Sequence, residues 1–303
     1  MPVKTERIQY APYGDSIRLT NDIVDLVVTL EVGPRVMRYG FVGRDNMFLE
    51  QTDSLVRYDE NSYWKIKGGH RLWHTPEKFP RNYVPDDSPI EWELVENGVK
   101  LIQPLEAWTQ IYKEMVITLD PDSTHVKVVH SLKNKNAWPI DMGLWAMSAM
   151  APEGILVVPQ GKKDTGVECN RVLSLWPYSD MRDKRVTWGK DYIFLQHDVN
   201  ATIPFKFGLN HEDGWAAYIY RGMMFIKQYA PVEGATYPDY GCSFEAYTCS
   251  IFTEVETLSP LKRMNPGESA QHTEYWGLFE QANAPRNESE VDMITSKLWP
   301  IEK

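Results

Sequence analysis

Cysteine is scarce in this 303-residue chain, and its three copies form no recognisable site. Cys169, Cys242 and Cys249 are odd in number, and none belongs to a CxxC pair. This argues against a disulfide framework and against a thiolate zinc site. The chain also lacks any run of about 20 apolar residues, which a membrane-spanning helix needs. Its first residues lack the apolar core of a secretory signal, so we expect a cytoplasmic protein.

Positive charge is in the minority, with 32 Lys and Arg against 42 Asp and Glu, a net charge of −10. Nucleic acids and anionic membranes bind clustered Lys and Arg, so we expect neither as a partner. The nucleophile elbow GxSxG, the phosphate loop GxxxxGK[ST] and the dinucleotide motif GxGxxG are all missing. These catalytic templates therefore do not apply to this chain.

Aromatic residues and strand-like alternation are what the chain has in plenty, with 11 Trp among 12% aromatic residues. Apolar residues alternate with polar ones in short runs, as in half-buried antiparallel strands. The runs are separated by tight-turn signals, the clearest being Asn97-Gly98, which is typical of a type I′ hairpin. The pattern predicts one all-β domain over residues 1–303, a large antiparallel β-sandwich with a few short helices. We expect a single strand over Tyr247–Glu256 and a C-terminal helix over Ser289–Trp299, with Ser289 as a possible N-cap.

The segment Gly68–Glu77 has the highest density of chemically useful side chains. The two glycines allow positive φ or close backbone approach. If the residues that follow are extended, Arg71 and Trp73 share one face while His70 and His74 share the other. The two histidines are then able to act on one ligand. A metal pair is disfavoured, because Pro76 and the glycines oppose the helix that an HxxxH pair needs, and no HExxH glutamate is present.

A second candidate segment, Tyr237–Pro260, carries carboxylates in otherwise apolar and aromatic sequence. In a strand, Glu254 and Glu256 point to the same side. Two carboxylates on one enclosed face repel each other, and the pKa of either one rises. Such a group suits general acid or base work near neutral pH. A solvent-facing acidic strand edge is the alternative.

These motifs, in this order, resemble the galactose mutarotase-like or aldose 1-epimerase family, and within it a poorly characterised branch. Phe252–Thr257 resembles the family's strand with the catalytic glutamate, and Asn265–Glu268 resembles the turn that follows. Val32–Val36 resembles the family's early GGRI segment, and Gly68–Trp73 resembles its glycine-rich loop at the mouth of the sugar site. The resemblance implies a large antiparallel sandwich that binds a small carbohydrate and needs neither a metal nor an organic cofactor.

The resemblance implies Glu256 as the catalytic base that removes the anomeric hydroxyl proton. The family's strand histidine has no counterpart in Asn136–Trp145, and Trp145 falls near its position. The acid role is therefore left to His70, to His74 or to Arg71 acting electrostatically. The remaining side chains expected at the substrate are Arg71, Arg35, Trp73, Trp145, Glu254 and Lys227, with the cations, including Lys206, available to an anionic sugar.

Three functions stay open at this stage. The first is mutarotation by ring opening, the second is a glycan lyase or hydrolase on the same fold, and the third is a non-catalytic sugar-binding module. The missing strand histidine and the extra pair His70 and His74 motivate the second. The sequence is compatible with a monomer or a homodimer.

Overall fold

The computed structural model describes residues 2–50, 55–57, 60–61, 63–281 and 283–302, and strands dominate it. Among the described residues, helical structure is limited to 3₁₀ turns at Arg81–Tyr83 and Glu288–Glu290 and to a short helix α1, Asp292–Thr295. The strands of the described residues are β1 Lys4–Gln9, β2 Asp15–Thr20, β3 Val24–Thr29, β4 Val36–Phe41, β5 Leu55–Arg57, β6 Tyr63–Lys65, β7 Gly69–Thr75, β8 Glu91–Val95, β9 Gly98–Ile102, β10 Ile111–Leu119, β11 Val126–Asn134, β12 Ile140–Met150, β13 Ile155–Pro159, β14 Leu173–Leu175, β15 Val186–Trp188, β16 Tyr192–Gln196, β17 Phe205–Leu209, β18 Trp215–Tyr220, β19 Met223–Tyr229, β20 Phe244–Thr248, β21 Thr253–Leu258, β22 Lys262–Met264 and β23 Ser269–Glu280.

Two antiparallel sheets contain nearly all of these strands. The first has the order β1-β2-β3-β4-β7-β12-β21-β20-β17-β14, with β22 also paired to β12. The second has the order β15-β16-β13-β18-β19-β23-β11-β10-β9-β8, and β5 and β6 form a separate hairpin. The prediction of a large antiparallel β-sandwich with few short helices is confirmed.

The main hydrophobic core lies between the two sheets and draws side chains from both. Leu72, Leu144 and Val255 come from the first sheet, and Val128 and Trp276 come from the second. A separate small cluster of Trp64, Trp73, Trp145, Met147 and Leu258 lies on the other face of the first sheet. Side chains alternate across a strand, so the strands that carry the core also carry this second, outer cluster.

Three local predictions differ from the structure in their details. The hairpin of β8 and β9 turns at Glu96 and Asn97, not at Asn97 and Gly98, and Asn97 alone has a positive φ. A type I′ turn needs positive φ at both central residues, so that prediction is wrong. Gly98 already belongs to β9, where an added Cβ would lie 2.1 Å from the carbonyl oxygen of Ile117.

The predicted strand Tyr247–Glu256 is in fact two strands, β20 and β21, joined by a tight turn. The backbone amide of Cys249 donates to the carbonyl of Phe252 at 3.0 Å and closes the hairpin. The apolar and aromatic residues continue through the turn, so composition does not mark it. As a consequence, Glu245 lies directly opposite Glu256 in the paired strands.

The predicted C-terminal helix is much shorter than Ser289–Trp299. The side chain of Asn287, not that of Ser289, accepts from the backbone and caps the first turn. Val291 and Ile294 are buried against the second sheet, with Leu298 packed beside them, so the apolar stripe is confirmed. Among the described residues, no helix has the length and apolar character needed to cross a membrane.

Candidate functional site

Strand β7 separates two chemical environments. It is extended, as predicted, so Arg71 and Trp73 leave one face while His70, Leu72 and His74 leave the other. Leu72 belongs to the core between the sheets, whereas Trp73 belongs to the outer cluster. The two faces of this strand therefore serve different sites.

The outer face of β7 is continued by its neighbours in register. Trp73 lies opposite Trp145 on β12, and Arg71 lies opposite Met147. Met147 in turn lies opposite Glu256 on β21, which faces Glu245 on β20. Cross-strand neighbours on one face are close enough to interact directly. The row from Arg71 to Glu245 thus brings one cation and two carboxylates onto the same surface.

A pocket of about 350 Å³ opens over this outer face. Its walls are mainly indole and phenol rings, with four charged side chains between them. Rings at this density give apolar platforms, and the charged groups give directional contacts, which is typical of small-molecule sites. The lining consists of Trp64, Ile66, Arg71, Trp73, Glu77, Tyr83, Trp145, Met147, Trp176, Tyr178, Pro204, Lys206, Tyr247, Phe252 and Glu254.

Both cations of the pocket are paired with carboxylates and packed on indole rings. Nη1 of Arg71 donates to Oε1 of Glu254 at 2.6 Å, and its guanidinium lies 4.8 Å from the ring centre of Trp73. Nζ of Lys206 lies 4.6 Å from the ring centres of both Trp145 and Trp176. Cation–π contacts of this kind stabilise a partly desolvated cation. The cations are therefore held in fixed positions before any ligand binds.

Lys206 also contacts two carboxylates beneath the pocket. Its Nζ lies 2.6 Å from Oε2 of Glu245 and 3.0 Å from Oε2 of Glu256. Nε1 of Trp145 donates to the same Oε2 of Glu256 at 2.8 Å. Oε1 of Glu256 has no hydrogen-bond partner among the described residues. Glu256 is completely buried, so it lies under Lys206 and Trp145 and is not itself part of the pocket wall.

Burial and charge pull the ionisation of this cluster in opposite directions. Burial raises the pKa of Glu256 and raises that of Glu245 well above its ordinary value, although Lys206 opposes both effects. Burial lowers the pKa of Lys206, but the charges of Glu245 and Glu256 outweigh it and raise that pKa well above its usual range. One cation cannot neutralise two buried carboxylates, so one proton is shared by the pair. Since Glu256 also accepts from Trp145, which favours its ionised form, Glu245 is the natural holder of that proton.

His70 belongs to a second polar cluster, inside the core between the sheets. Its Nε2 lies 2.7 Å from Nε2 of His130, whose Nδ1 donates to the carbonyl of His272 at 2.9 Å. His130 therefore accepts from His70, and Nδ1 of His70 accepts from Ser148 at 2.9 Å. Burial lowers the pKa of His70 well below its usual value, so the ring is neutral.

Glu274 forms the other half of this core cluster, together with Lys227. Oε1 of Glu274 accepts from Nζ of Lys227 at 2.9 Å and from Thr257, and Oε2 accepts from Nε1 of Trp276 at 2.9 Å. Lys227 and Glu274 are both fully buried. The charges of Lys227 and Glu274 compensate each other, and both carboxylate oxygens of Glu274 accept hydrogen bonds. We therefore interpret the cluster as a hydrogen-bonded network of the core.

Ligand atoms of His70, His130 and Glu274 lie within 4.8 Å of one another, which is the spacing that a metal ion requires. The hydrogen-bond pattern does not favour one, however. Each ring nitrogen of His70 and His130 already has a partner, and the ammonium of Lys227 contacts Glu274. A divalent ion would have to replace these bonds and lie beside a buried cation. We therefore interpret these residues as a hydrogen-bonded network.

No protein-family model and no curated protein sequence matches the chain. Among solved structures, a proposed aldose 1-epimerase from Klebsiella pneumoniae aligns with a TM-score of 0.59 at 11% identity, over 97% of this chain and 86% of that one. A galactose mutarotase-like protein from Lactobacillus casei aligns with a TM-score of 0.54 at 10% identity, over 87% and 100%.

The chain has a galactose mutarotase-like fold. A third structure, a galactose mutarotase-like protein from Clostridium acetobutylicum, agrees, with a TM-score of 0.52 at 11% identity over 92% of this chain and 99% of that one. The sequence resemblance stated above thus predicted the fold correctly. At these identities the likeness concerns the fold alone, so the chemistry has to be argued from the residues of this chain.

Within the galactose mutarotase-like fold, the predicted site residues fall into two groups. Four of them, Arg71, Trp73, Trp145 and Glu254, line the pocket, and Glu256 lies directly below.

The other predicted site residues lie outside the pocket. His70 and Lys227 are in the core network, and His74 leaves β7 on the same inner face as His70, with neither ring nitrogen bonded among the described residues. Arg35 is buried behind the pocket, where its Nε donates to Asp86 at 3.0 Å and its Nη1 donates to the carbonyl of Gly68 at 2.8 Å.

Several pocket residues were not singled out by sequence reasoning. Tyr83, Tyr178 and Tyr247 come from three separate segments, and each enters the site only through the folding of the first sheet and its loops. Lys206 was expected only as a cation for an anionic sugar, although its place between Phe205 and Phe207 in an apolar strand carries a further signal. A lone cation in such a strand is buried and must be paired, which points to a carboxylate nearby.

Proposed function

We propose that the pocket binds a cyclic sugar and that the cluster beneath it moves protons at the anomeric centre, as in mutarotation. The observation that carries the proposal is the contact of Lys206, a pocket side chain, with the buried Glu256. Indole rings such as those of Trp64 and Trp73 suit the apolar C–H face of a sugar ring, and the ion pair of Arg71 and Glu254 suits its hydroxyls. A volume of about 350 Å³ is near the lower end for ligand pockets, which favours one or two sugar rings over a long glycan.

The proposed reaction opens the ring by two proton transfers. Glu256 accepts the proton of the anomeric hydroxyl, and Lys206 donates a proton to the ring oxygen as the C1–O bond to it breaks. The 3.0 Å contact between Nζ and Oε2 then returns the proton from Glu256 to Lys206. Rotation about the C1–C2 bond and the reverse transfers close the ring as the other anomer. The protons balance, and no side chain is changed at the end.

This assignment moves the acid role from the histidines to Lys206. His70 and His74 leave the opposite face of β7 and do not line the pocket, whereas Lys206 does. Lys206 holds its proton firmly because Glu245 and Glu256 raise its pKa. It therefore acts mainly by stabilising negative charge at the ring oxygen during bond breaking, and the proton follows as that charge develops.

The substitution Glu256→Gln tests the proposal. We expect it to lower the catalysed exchange between α and β anomers by about 10²–10⁴-fold, the contribution of one positioned acid or base. Saturation-transfer NMR with a panel of aldoses measures that exchange. Glu106→Gln is the matched control, because Glu106 is also buried and paired with a lysine, Lys113, but does not line the pocket. Unchanged exchange in Glu256→Gln, or an equal loss in Glu106→Gln, would contradict the assignment.

One observation favours a second candidate, a sugar-binding module without turnover. Glu256 has no exposed surface, so a substrate has to displace Lys206 or Trp145 slightly to reach it. For a binding module, calorimetry shows sugar binding while the anomeric exchange rate stays at its value in buffer. In that case Glu256→Gln changes the affinity only.

A further inference from the structure

The charges around the pocket are unbalanced in favour of the carboxylates. The lining has two cations, Arg71 and Lys206, and two carboxylates, Glu77 and Glu254. Two more carboxylates, Glu245 and Glu256, contact Lys206 from below. The sum is −2, or −1 when Glu245 holds a proton. The local field therefore favours a neutral or positively charged ligand over an anion.

Neither cation is available to an anionic sugar without breaking an existing ion pair. Arg71 is 2.6 Å from Glu254, and Lys206 is within 3.0 Å of both Glu245 and Glu256. Removing a partner from a buried pair leaves an uncompensated charge, which is strongly unfavourable. A carboxylate or phosphate on the ligand would add negative charge beside these groups. The cations thus neutralise the protein's own carboxylates.

Glu77 differs from the other carboxylates because it forms no salt bridge with a described side chain, although the charge of Lys206 attracts it from farther away. Its Oε1 accepts a hydrogen bond from the hydroxyl of Tyr83. The Tyr83 ring packs against Trp73 and Trp64, with ring centres 5.0 and 5.8 Å apart. The carboxylate therefore lies at the edge of an aromatic wall, and a cation bound to it would also meet ring faces.

We propose that the ligand of this pocket is an amino sugar with a free ammonium group, which Glu77 and the neighbouring rings of the aromatic wall recognise. The inference rests on the proposed function for the sugar ring itself and adds the substrate class. The ammonium supplies the positive charge that the pocket lacks. It pairs with Glu77, while the ring hydroxyls meet Arg71 and Glu254.

Calorimetric titration with three sugars of the same ring tests this proposal. Glucosamine, glucose and glucuronate are compared at about pH 6.5, where an ordinary amine is protonated. We expect glucosamine to bind about tenfold more tightly than glucose, and glucuronate to bind most weakly. In Glu77→Gln the ratio of the two affinities, glucosamine to glucose, should fall to about one. Glu280→Gln, which removes an exposed carboxylate outside the pocket, should keep the ratio of the native chain.

The outcomes separate this proposal from the proposed function. If glucuronate binds as tightly as glucose, or if the preference for glucosamine survives Glu77→Gln, the amino-sugar inference is wrong. If none of the three sugars binds, the proposed sugar function fails, and cyclohexylammonium and cyclohexanol replace them as probes. A preference for the cation that Glu77→Gln removes then still supports recognition by Glu77. Equal binding of the two probes overturns it.

Discussion

Lys206 connects the pocket to the carboxylates beneath it. It lies between two indole rings and contacts both Glu245 and Glu256. Buried ion pairs contribute little net stability compared with apolar packing, but the loss of one partner is costly. The role of Lys206 in stability is therefore to compensate the buried negative charge that Glu245 and Glu256 share. The effect of replacing Lys206 on the free energy of unfolding should therefore depend on pH.

We predict that Lys206→Met lowers the free energy of unfolding by about 3–5 kcal/mol near neutral pH. The deficit should shrink as the pH falls toward about 4.5. Without Lys206, the pKa values of Glu245 and Glu256 rise further above their values in the unfolded chain, so the folded variant takes up protons first and gains stability on acidification. Urea unfolding of both proteins between about pH 8 and about pH 5 measures the difference.

The double variant Lys206→Met, Glu245→Gln is the control for this interpretation. It removes one of the two stranded carboxylates and should recover part of the loss. A deficit that is the same at every pH, or no recovery in the double variant, would show that Lys206 contributes by packing alone.

At the residue scale, sequence reasoning paired the side chains correctly but did not identify which face of β7 forms the pocket. The alternation of His70 and His74 against Arg71 and Trp73 was predicted and is confirmed. Every residue of this strand is buried, however, so the usual contrast of a polar and an apolar face is missing. Which face meets the other sheet and which meets the pocket depends on the neighbouring strands.

At the scale of elements, Gly68 fixes the backbone conformation immediately before β7. Gly68 has a φ of +88°, and an added Cβ would lie 2.2 Å from the carbonyl oxygen of Leu49. Its own carbonyl accepts from Arg35. The position therefore requires both a left-handed backbone and the absence of a side chain.

We predict that Gly68→Ala destabilises the protein by about 3 kcal/mol or more. A left-handed conformation costs an alanine about 1–2 kcal/mol, and the clash with Leu49 adds to it. Gly267→Ala separates the two effects, because Gly267 has a φ of +83° with nothing within 4 Å of an added Cβ. It should lose only the conformational part. Equal losses for the two variants in urea unfolding would refute the close-contact argument.

The site also depends on which strands pair and in which register, and the alternation of apolar and polar residues does not predict this. The pairing of Glu245 with Glu256 follows from the hairpin of β20 and β21, where a single strand was predicted. Nothing in the local composition of Cys249–Phe252 marks the turn, since it carries neither glycine nor proline. Long-range register is a property of the sheet, and one sequence does not specify it.

At the scale of the whole molecule, the many tryptophan residues serve two purposes, since some pack in the core and others line the pocket. Trp276 is in the core between the sheets, whereas Trp64, Trp73, Trp145 and Trp176 line the pocket. The net charge of −10 proved uninformative about the ligand, because the cations nearest the pocket are already paired with carboxylates. Composition predicted the sandwich, while the charge preference of the pocket required the geometry.

The histidines give the whole molecule a shared sensitivity to acid. Burial is the main cause that lowers the pKa of all seven, to about 3 for His130, His211 and His272, and well below the usual value for His70 and His74. The folded protein therefore keeps these rings neutral. Below about pH 6.5 the histidines of the unfolded chain bind protons, whereas those of the folded chain stay neutral. The contribution of the neutral histidines to the free energy of unfolding is therefore fully present above that pH and is lost as the pH falls.

We predict that the free energy of unfolding falls steeply between about pH 6.5 and about pH 4.5. Each fully buried histidine contributes up to about 1.4 kcal/mol per pH unit, and five give a limit of about 7 kcal/mol per pH unit. Glu245 and Glu256 act in the opposite direction, because their raised pKa values let the folded state bind protons. They reduce the limiting slope to about 4 kcal/mol per pH unit. Since small domains have about 5–15 kcal/mol in total, unfolding should be complete within about one to four pH units. Urea titrations at constant ionic strength measure the slope, and a free energy that stays level from about pH 7.5 to about pH 5.5 would mean that the buried rings can take up protons without loss of the fold.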